Sequence, residues 1–199
     1  MDTDCTCFVV GGRKAIGAAI LRALQAQGFG RIVGRGDDEP DYTNARVVDA
    51  FFRRHRPQLV FVAGGKAGGI GLNQRHPAEL MRDNLLMATS VVQAAHDHGV
   101  RKLLFLGSSC CYPKLCPQPM REEHLLTAPL EPTNEGYALA KLAGITLCRS
   151  YRRQYGDPII TAIPTNYFGP ATTSAPRTPT SLARSCTSST RPTRPGRSP

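Results

Sequence analysis

The sequence has little of what marks metal-binding, secreted or membrane proteins. Its seven cysteines are odd in number and form no Cys-x-x-Cys pair, a pattern that argues against a zinc site and a disulfide framework. The longest apolar runs are far shorter than the ~20 residues that cross a bilayer, so we expect no membrane partner. Residues 1–5 lack the basic and apolar stretches of a secretory signal. We therefore expect a reduced, cytoplasmic compartment.

Acidic residues are also scarce, with 15 Asp and Glu against 25 Lys and Arg, and the formal net charge is +10. Half of this excess lies in residues 171–199, which contain no Asp or Glu and five arginines: Arg177, Arg184, Arg191, Arg194 and Arg197. The remaining chain is only mildly basic, which suits a phosphate-rich ligand and predicts no nucleic-acid partner. The alternative is that the basic tail binds nucleic acid or a membrane surface.

Short apolar runs alternate with segments of helical period. The pattern predicts strands at 8–10, 31–33, 59–62, 102–106 and 159–163, and helices at 18–27, 45–54, 81–98 and 135–155. Such alternation predicts an α/β Rossmann-type domain over residues 1–170, built on a doubly wound parallel sheet. Ligands bind such sheets at the carboxyl ends of the strands. Residues 171–199 are rich in Thr, Ser, Pro and Arg and predict a disordered tail.

Three segments at predicted strand ends carry chemistry: Gly107-Ser108-Ser109-Cys110, Tyr137-Ala-Leu-Ala-Lys141 and Pro164-Thr165-Asn166. A Tyr four residues before a Lys places both side chains on one helix face. A nearby ammonium, with a nicotinamide ribose between them, would lower the pKa of Tyr137 toward the working pH, and the Ser108 hydroxyl could hold a substrate carbonyl. The arrangement suits proton-coupled hydride transfer, whereas the Tyr–Lys spacing alone also occurs by chance on surface helices.

More specific segments are Lys102-Leu-Leu-Phe-Leu-Gly-Ser-Ser-Cys110, Tyr112-Pro-Lys114, Gln118-Pro-Met120 and Leu130-Glu-Pro-Thr-Asn-Glu135. Through them the chain, from about residue 8 to residue 170, resembles the GDP-L-fucose synthases, a branch of the extended short-chain dehydrogenase/reductase family. The resemblance implies NADPH-dependent 3,5-epimerisation and 4-reduction of GDP-4-keto-6-deoxy-D-mannose. It also implies a homodimer formed through the helices flanking Tyr137.

The resemblance assigns roles to four catalytic residues. Cys110 would be the base that removes protons next to the ketone, which requires surroundings that favour a thiolate. Tyr137 would supply a proton, Ser108 would hold the carbonyl oxygen, and Lys141 would bind the ribose and tune Tyr137. No such role falls to Cys111, which we expect to pack, or to the five histidines, which we interpret as surface or structural.

The residues implied to bind NADP are Gly11, Gly12, Arg13, Lys14, Ala15, Ile16, Gly17, Arg35, Leu106, Gly107, Ser108, Ser109, Lys141, Pro164, Thr165, Asn166 and Tyr167. Residues 11–17 form a glycine-rich loop that would bring backbone amides to the pyrophosphate.

Two features of these predicted cofactor residues leave alternatives open. The family pattern is G-x-x-G-x-x-G, and Lys14 occupies its middle glycine position. Lys14 could crowd the pyrophosphate, force a strained positive φ, or turn outward or toward a phosphate, so we expect weakened affinity. Arg13 and Arg35 could meet a 2′-phosphate, although Arg35 could equally be a solvated loop charge and Asp37 stands where the family tends to carry a base.

After Gly169-Pro170 the sequence departs from the family. When the codons of residues 172–189 are read one base out of frame, they permit family-like residues in the order of the family's sequence, including His-Val over residues 179–181. Our hypothesis for the tail is therefore a frameshift. Thr180 then occupies the slot of the family's acid histidine, and the substrate domain is missing. We expect this chain to bind NADP weakly at best without turnover. The alternatives are an inactive truncated NADP-binding module, or another NAD(P)-dependent sugar-nucleotide epimerase or dehydratase.

Overall fold

The computed structural model describes residues 3–36 and 38–166. Five parallel strands form one sheet in the order β2-β1-β3-β4-β5. The strands are β1 (Cys7–Val10), β2 (Ile32–Val33), β3 (Leu59–Val62), β4 (Lys102–Leu106) and β5 (Ile159–Ala162). The α-helices are α1 (Ala15–Ala26), α2 (Ala45–His55), α3 (Ile70–Arg75), α4 (Pro77–Asp97) and α5 (Glu135–Tyr155). Short 3₁₀ helices span Ser109–Cys111, Glu122–His124 and Pro132–Asn134.

Both faces of the sheet are covered. Along the fully buried β1, Phe8 and Val10 belong to the larger core, which includes residues of α2, α4 and α5. Cys7 and Val9 belong to a second core with Leu24 of α1 and its neighbours. This alternation follows from the two-residue period of a strand, and it confirms the predicted doubly wound parallel sheet.

The strand order reverses direction between β1 and β3, which are adjacent although β2 separates them in sequence. In open α/β sheets a crevice forms outside the carboxyl ends of the strands at such a reversal, because the connections leave on opposite faces. The glycines that follow these two strands, Gly11 and Gly64, lie at this crevice, where the chain has room for a ligand.

The bounds of the predicted elements agree with the structure to within one residue except at two helix starts. Helix α1 begins at Ala15 rather than residue 18, and α4 begins at Pro77 rather than residue 81. Proline suits the first turn of a helix, where its missing N–H would have no partner. Helix α3 was not predicted, since its six residues, four of them polar or Gly, show no clear apolar period.

Within the described residues, none of the helices has the length and apolar character that a membrane span requires. Tyr167, for which the sequence predicts a cofactor contact, and the tail of residues 171–199 lie outside the described residues, as does Asp37.

Candidate cofactor and catalytic site

The loop after β1 is built on close backbone contacts. Gly11 has φ +78°, and a Cβ there would lie 2.4 Å from the Cα of Gly64. A Cβ at Gly17, on the first turns of α1, would lie 2.0 Å from the carbonyl oxygen of Gly11. Both positions therefore require glycine. The contacts turn the chain sharply between β1 and α1 and place the start of α1 at the crevice.

Lys14 is the N-cap residue of α1 and has φ −81° and ψ 157°. The sequence raised the possibility of a strained positive φ at this position, and the structure shows an ordinary extended conformation instead. The Lys14 side chain is exposed, makes no capping hydrogen bond, and the first turn of α1 has no acidic residue. Ala15 and Ile16 form the start of the helix. The amide groups of this turn therefore suit an anionic ligand, because no side chain of the loop neutralises them.

The loop after β2 brings the two predicted phosphate-binding arginines to the same region. The guanidinium of Arg13 lies 3.7 Å from the position of a Cβ on Gly36, and Arg35 is exposed in that loop. Asp38 accepts hydrogen bonds from the backbone amides of Gly34, Arg35 and Gly36 at 3.0, 3.0 and 3.1 Å. Partial burial of the carboxyl acts to raise the pKa of Asp38, but the backbone amides together outweigh it and the pKa is lowered. The carboxylate thus holds the loop in place beside Gly12. A Cβ added at Gly12 would lie 2.5 Å from the carbonyl oxygen of Gly34.

Lys141 reaches from α5 to the carboxyl ends of β3 and β4. Its Nζ donates hydrogen bonds to the carbonyl oxygens of Gly64 and Leu106, each at 3.1 Å, and lies 5.3 Å from the ring centroid of Phe105. The residue is only 4% exposed. Burial lowers the pKa of Lys141 to about 8, because water no longer solvates the ammonium.

Tyr137 and Ser108 are neighbours at the end of β4. Burial raises the pKa of Tyr137 to about 12, and a hydrogen bond with the Ser108 side chain acts in the opposite direction. The sequence predicts that the Lys141 ammonium, with a nicotinamide ribose between them, lowers the pKa of Tyr137, whereas the chain's own groups raise it. The physical reason is that desolvation of the phenolate outweighs the favourable contacts. As a protonated phenol, Tyr137 is suited to donate a proton.

The two adjacent cysteines occupy different environments. Cys111 is fully buried, and its Sγ donates to the carbonyl oxygen of Ala138 at 3.8 Å, while burial raises its pKa. Cys110 is half-buried, its backbone amide donates to Ser108 Oγ at 3.3 Å, and its Sγ accepts a hydrogen bond from Asn134 Nδ2 at 3.3 Å. Cys110 is therefore the thiol of this pair that a ligand can reach.

The segment after β5 closes the site on its other side. Ser109 Oγ donates to Asn166 Oδ1 at 3.3 Å, and the Gly107 amide donates to the carbonyl oxygen of Ala162 at 2.8 Å. Pro164 and Thr165 lie between β5 and Asn166, half-buried and exposed, respectively. The structure thus places the segments after β4 and β5 next to each other.

Asn84 of α4 was missed by the sequence reasoning. It is 1% exposed, and its Nδ2 donates to the carbonyl oxygens of Lys66 and Leu80 at 2.8 and 2.7 Å. Its Oδ1 is buried without a hydrogen-bond partner among the described residues. A Cβ on Gly65 would lie 2.4 Å from this oxygen and 3.6 Å from Lys141 Nζ. The sequence feature that could have identified Asn84 is its position four residues after Leu80, which places a polar amide on the apolar face of a helix.

The crevice between the loops after β1, β2 and β3 has a volume of about 600 Å³. Its lining includes Gly11, Arg13, Lys14, Tyr42, Gly65 and Lys66. Within residues 3–36 and 38–166 no group of three or more His, Cys, Asp or Glu could hold a metal ion. The lining also includes the carboxylates of Glu39, Asp41 and Asp83, and Asp83 pairs with Lys66. The cations of the crevice that suit a phosphate-containing ligand are therefore the exposed Arg13 and Lys14.

The fold and this site define a dinucleotide-binding Rossmann-type domain. The NAD dependent epimerase/dehydratase family matches residues 7–193, and the chain belongs to that family. It is 49% identical over 169 residues to GDP-L-fucose synthase 1 of Arabidopsis thaliana, covering 85% of this chain and 52% of the relative. It is 47% identical over 163 residues to the GDP-L-fucose synthase of Escherichia coli strain K12, covering 82% and 51%.

A solved structure agrees with these sequence matches. The GDP-mannoheptose C4 reductase from Campylobacter jejuni, with NADP bound, superposes with a TM-score of 0.79 at 31% identity, and the match covers 83% of this chain and 52% of that chain. The chain spans about half the length of the curated relatives it matches.

Proposed function

We propose that the chain carries the NADP-binding and proton-transfer residues of an epimerase/reductase of the GDP-L-fucose synthase type, with GDP-4-keto-6-deoxy-D-mannose as substrate. Lys141 carries the proposal. Its buried ammonium is fixed by the carbonyls of Gly64 and Leu106 at the crevice, on the helix that also bears Tyr137. A buried charge is costly, so its retention at the ends of two strands is typical of a functional site.

The residues present fit the cofactor. The uncapped start of α1 suits a pyrophosphate, Arg13 and Arg35 suit a 2′-phosphate, and Lys141 suits a ribose. NADPH, when bound, supplies the hydride that reduces the C4 ketone. Tyr137 then donates its phenolic proton to the C4 oxygen, which Ser108 holds by a hydrogen bond.

Cys110 is proposed as the base of the epimerisation. The C4 ketone acidifies the protons on C3 and C5, and the Cys110 thiolate takes such a proton, leaving an enolate. Inversion needs an acid on the opposite face of the sugar, and Thr180 occupies the slot where the resemblance implies a histidine. An NADP-binding module without catalysis is therefore the second candidate function.

Two measurements test this proposal. Titration of NADPH fluorescence with the purified 199-residue chain should show saturable binding that Lys141→Ala weakens at least tenfold, whereas Lys102→Ala, a change at an exposed lysine on β4, should not. Absence of binding by the unaltered chain would overturn the proposal. NADPH consumption with the keto sugar should be undetectable, because inversion precedes the reduction and Thr180 cannot act as the acid of inversion, and measurable turnover would exclude the inactive module.

The assembly and the location belong to the same proposal. We propose a homodimer through α4 and α5, on which Leu86 and Leu139 are 39% and 38% exposed, in a cytoplasmic setting. Sedimentation of Leu139→Glu against the unaltered chain tests the dimer, since a buried glutamate at the interface would release monomers.

A DNA mobility shift that disappears on deleting residues 171–199 would instead support the basic-tail alternative.

A further inference from the structure

Asn134 occupies an N-cap position without capping its helix. It precedes α5 with φ −136° and ψ 18°, and its side chain makes no capping hydrogen bond. Asn is among the preferred N-cap residues because its Oδ1 accepts a hydrogen bond from an amide of the first turn. Here Oδ1 is instead buried without a hydrogen-bond partner among residues 3–36 and 38–166. A residue that breaks such a local rule often serves a function.

The amide group of Asn134 points at the thiol of Cys110. Asn134 Nδ2 donates to Cys110 Sγ at 3.3 Å, across 24 positions of the sequence. A donor to sulfur stabilises the thiolate more than the thiol, because a hydrogen bond to a charged acceptor is stronger. The lost cap therefore accompanies a contact between the Asn134 side-chain amide and the sulfur of Cys110.

The turn that carries Asn134 is fixed from two sides. Glu131 accepts hydrogen bonds from the Thr133 amide at 3.4 Å and from the Thr133 hydroxyl at 3.3 Å, and it pairs with Lys114 Nζ at 3.1 Å. The backbone N–H of Asn134 donates to the backbone carbonyl oxygen of Glu131 at 3.1 Å. On the other side, Ser108 Oγ accepts from the Cys110 amide. A backbone hydrogen bond of Asn134 thus fixes the residue that carries the donor, and a backbone hydrogen bond of Cys110 fixes the residue that carries the sulfur.

We propose that Asn134 is a positioning residue that holds and stabilises the Cys110 thiolate. The inference rests on the proposed function for the role of Cys110 as a base, but the contact itself can be tested without substrate or cofactor. If the Asn134 amide were turned around, its oxygen would accept from the S–H group and favour the thiol. The two orientations therefore predict opposite effects on thiol reactivity.

The test is the alkylation rate of each cysteine by iodoacetamide at neutral pH, followed by peptide mass spectrometry of the full chain. Asn134→Ser and Asn134→Asp both retain a good N-cap residue. We expect Cys110 to react roughly tenfold more slowly in Asn134→Ser, because a hydrogen bond to a charged group is lost. The reaction should be slower still in Asn134→Asp, because the new carboxylate repels the thiolate.

Controls within the same experiment separate reactivity from folding. Thr133→Ala alters the same turn without touching Cys110, and the rate at half-buried Cys116 should stay constant in every variant. Buried Cys111 and Cys148 should remain unreactive as long as the fold is intact. An unchanged or faster rate at Cys110 would overturn the proposal, as would unfolding of both variants, which would make Asn134 structural. Failure of NADPH binding in the unaltered chain would count against the proposed function alone.

Discussion

The backbone of Gly17 rests against the carbonyl group of Gly11, so that a Cβ at Gly17 would lie 2.0 Å from the Gly11 oxygen. This contact fixes the angle between β1 and α1. It also brings the start of α1 to the crevice, where an anion would meet the amides of the first helical turn.

Gly17→Ala should therefore damage both stability and cofactor binding. A methyl group cannot fit within 2.0 Å of a backbone oxygen, so the helix must move, at a cost of about 3 kcal/mol in the free energy of unfolding. Urea denaturation and NADPH titration measure the two effects. Gly30→Ala is the control, because a Cβ there meets nothing within 4 Å. Equal stability of the two variants would show that the loop yields without cost.

Lys14→Ser should separate stability from affinity. Lys14 already has the extended backbone of an N-cap residue without a capping bond, so a serine hydroxyl can supply that bond and add about 1 kcal/mol to the free energy of unfolding. NADPH affinity should fall, because the hydroxyl occupies an amide that would face the pyrophosphate and a cation is lost. Lys14→Ala removes the cation without adding a cap and should leave stability nearly unchanged. A tighter NADPH complex in Lys14→Ser would contradict this account.

Much of the fold was predictable from sequence, because each strand is a short apolar run that ends in a turn signal. The predicted starts of two helices were wrong, because residues 15–17 were assigned to the glycine-rich loop and Pro77 begins α4 before its apolar stripe. The geometry of the site was less accessible. Ser108, Tyr137 and Lys141 were found through their spacing, but the direction of the pKa shift at Tyr137 depends on burial, which no local pattern reveals.

Long-range contacts explain what the sequence could not show. Asn84 and Asn134 each act through a partner that is distant in the chain, Lys66 and Cys110, respectively. Asn84 stands on an apolar helix face, and Asn134 stands where an ordinary cap is expected. Only the assembled fold shows that the Asn84 amide also donates to Lys66 and that the Asn134 amide contacts Cys110 instead of capping its helix.

Asn84→Ala should lower the free energy of unfolding by about 2 to 3 kcal/mol. The variant leaves the carbonyl oxygen of Lys66 without its buried donor, and a small cavity forms beside α4. Thr89→Ala is the matched control on the same helix, because the Thr89 hydroxyl also donates to helix carbonyls but is exposed. Chemical denaturation of both variants measures the difference. A loss at Asn84 no larger than that at Thr89 would show that the buried amide contributes little.

Lys141→Met should change how stability depends on pH. The pKa of Lys141 in the folded chain is about 8, below the ordinary value of about 10.4 for a lysine. Between these values the unfolded chain binds more protons than the folded chain, so the free energy of unfolding rises with pH. The unfavourable contribution of the buried ammonium is complete below pH ~8 and disappears as the pH approaches ~10.4. A methionine has no such dependence.

The expected readout is the difference between the two stability curves rather than either curve alone. Removing the ammonium also leaves the carbonyls of Gly64 and Leu106 without a donor, a cost that does not change with pH. From neutral pH to pH ~10, the unaltered chain should gain roughly 3 kcal/mol relative to Lys141→Met, at about 1.4 kcal/mol per pKa unit. Tyrosine and cysteine titrations cancel because both chains share them. Urea denaturation across this pH range gives the two curves, and parallel curves would mean that the Lys141 ammonium is solvated in the folded chain.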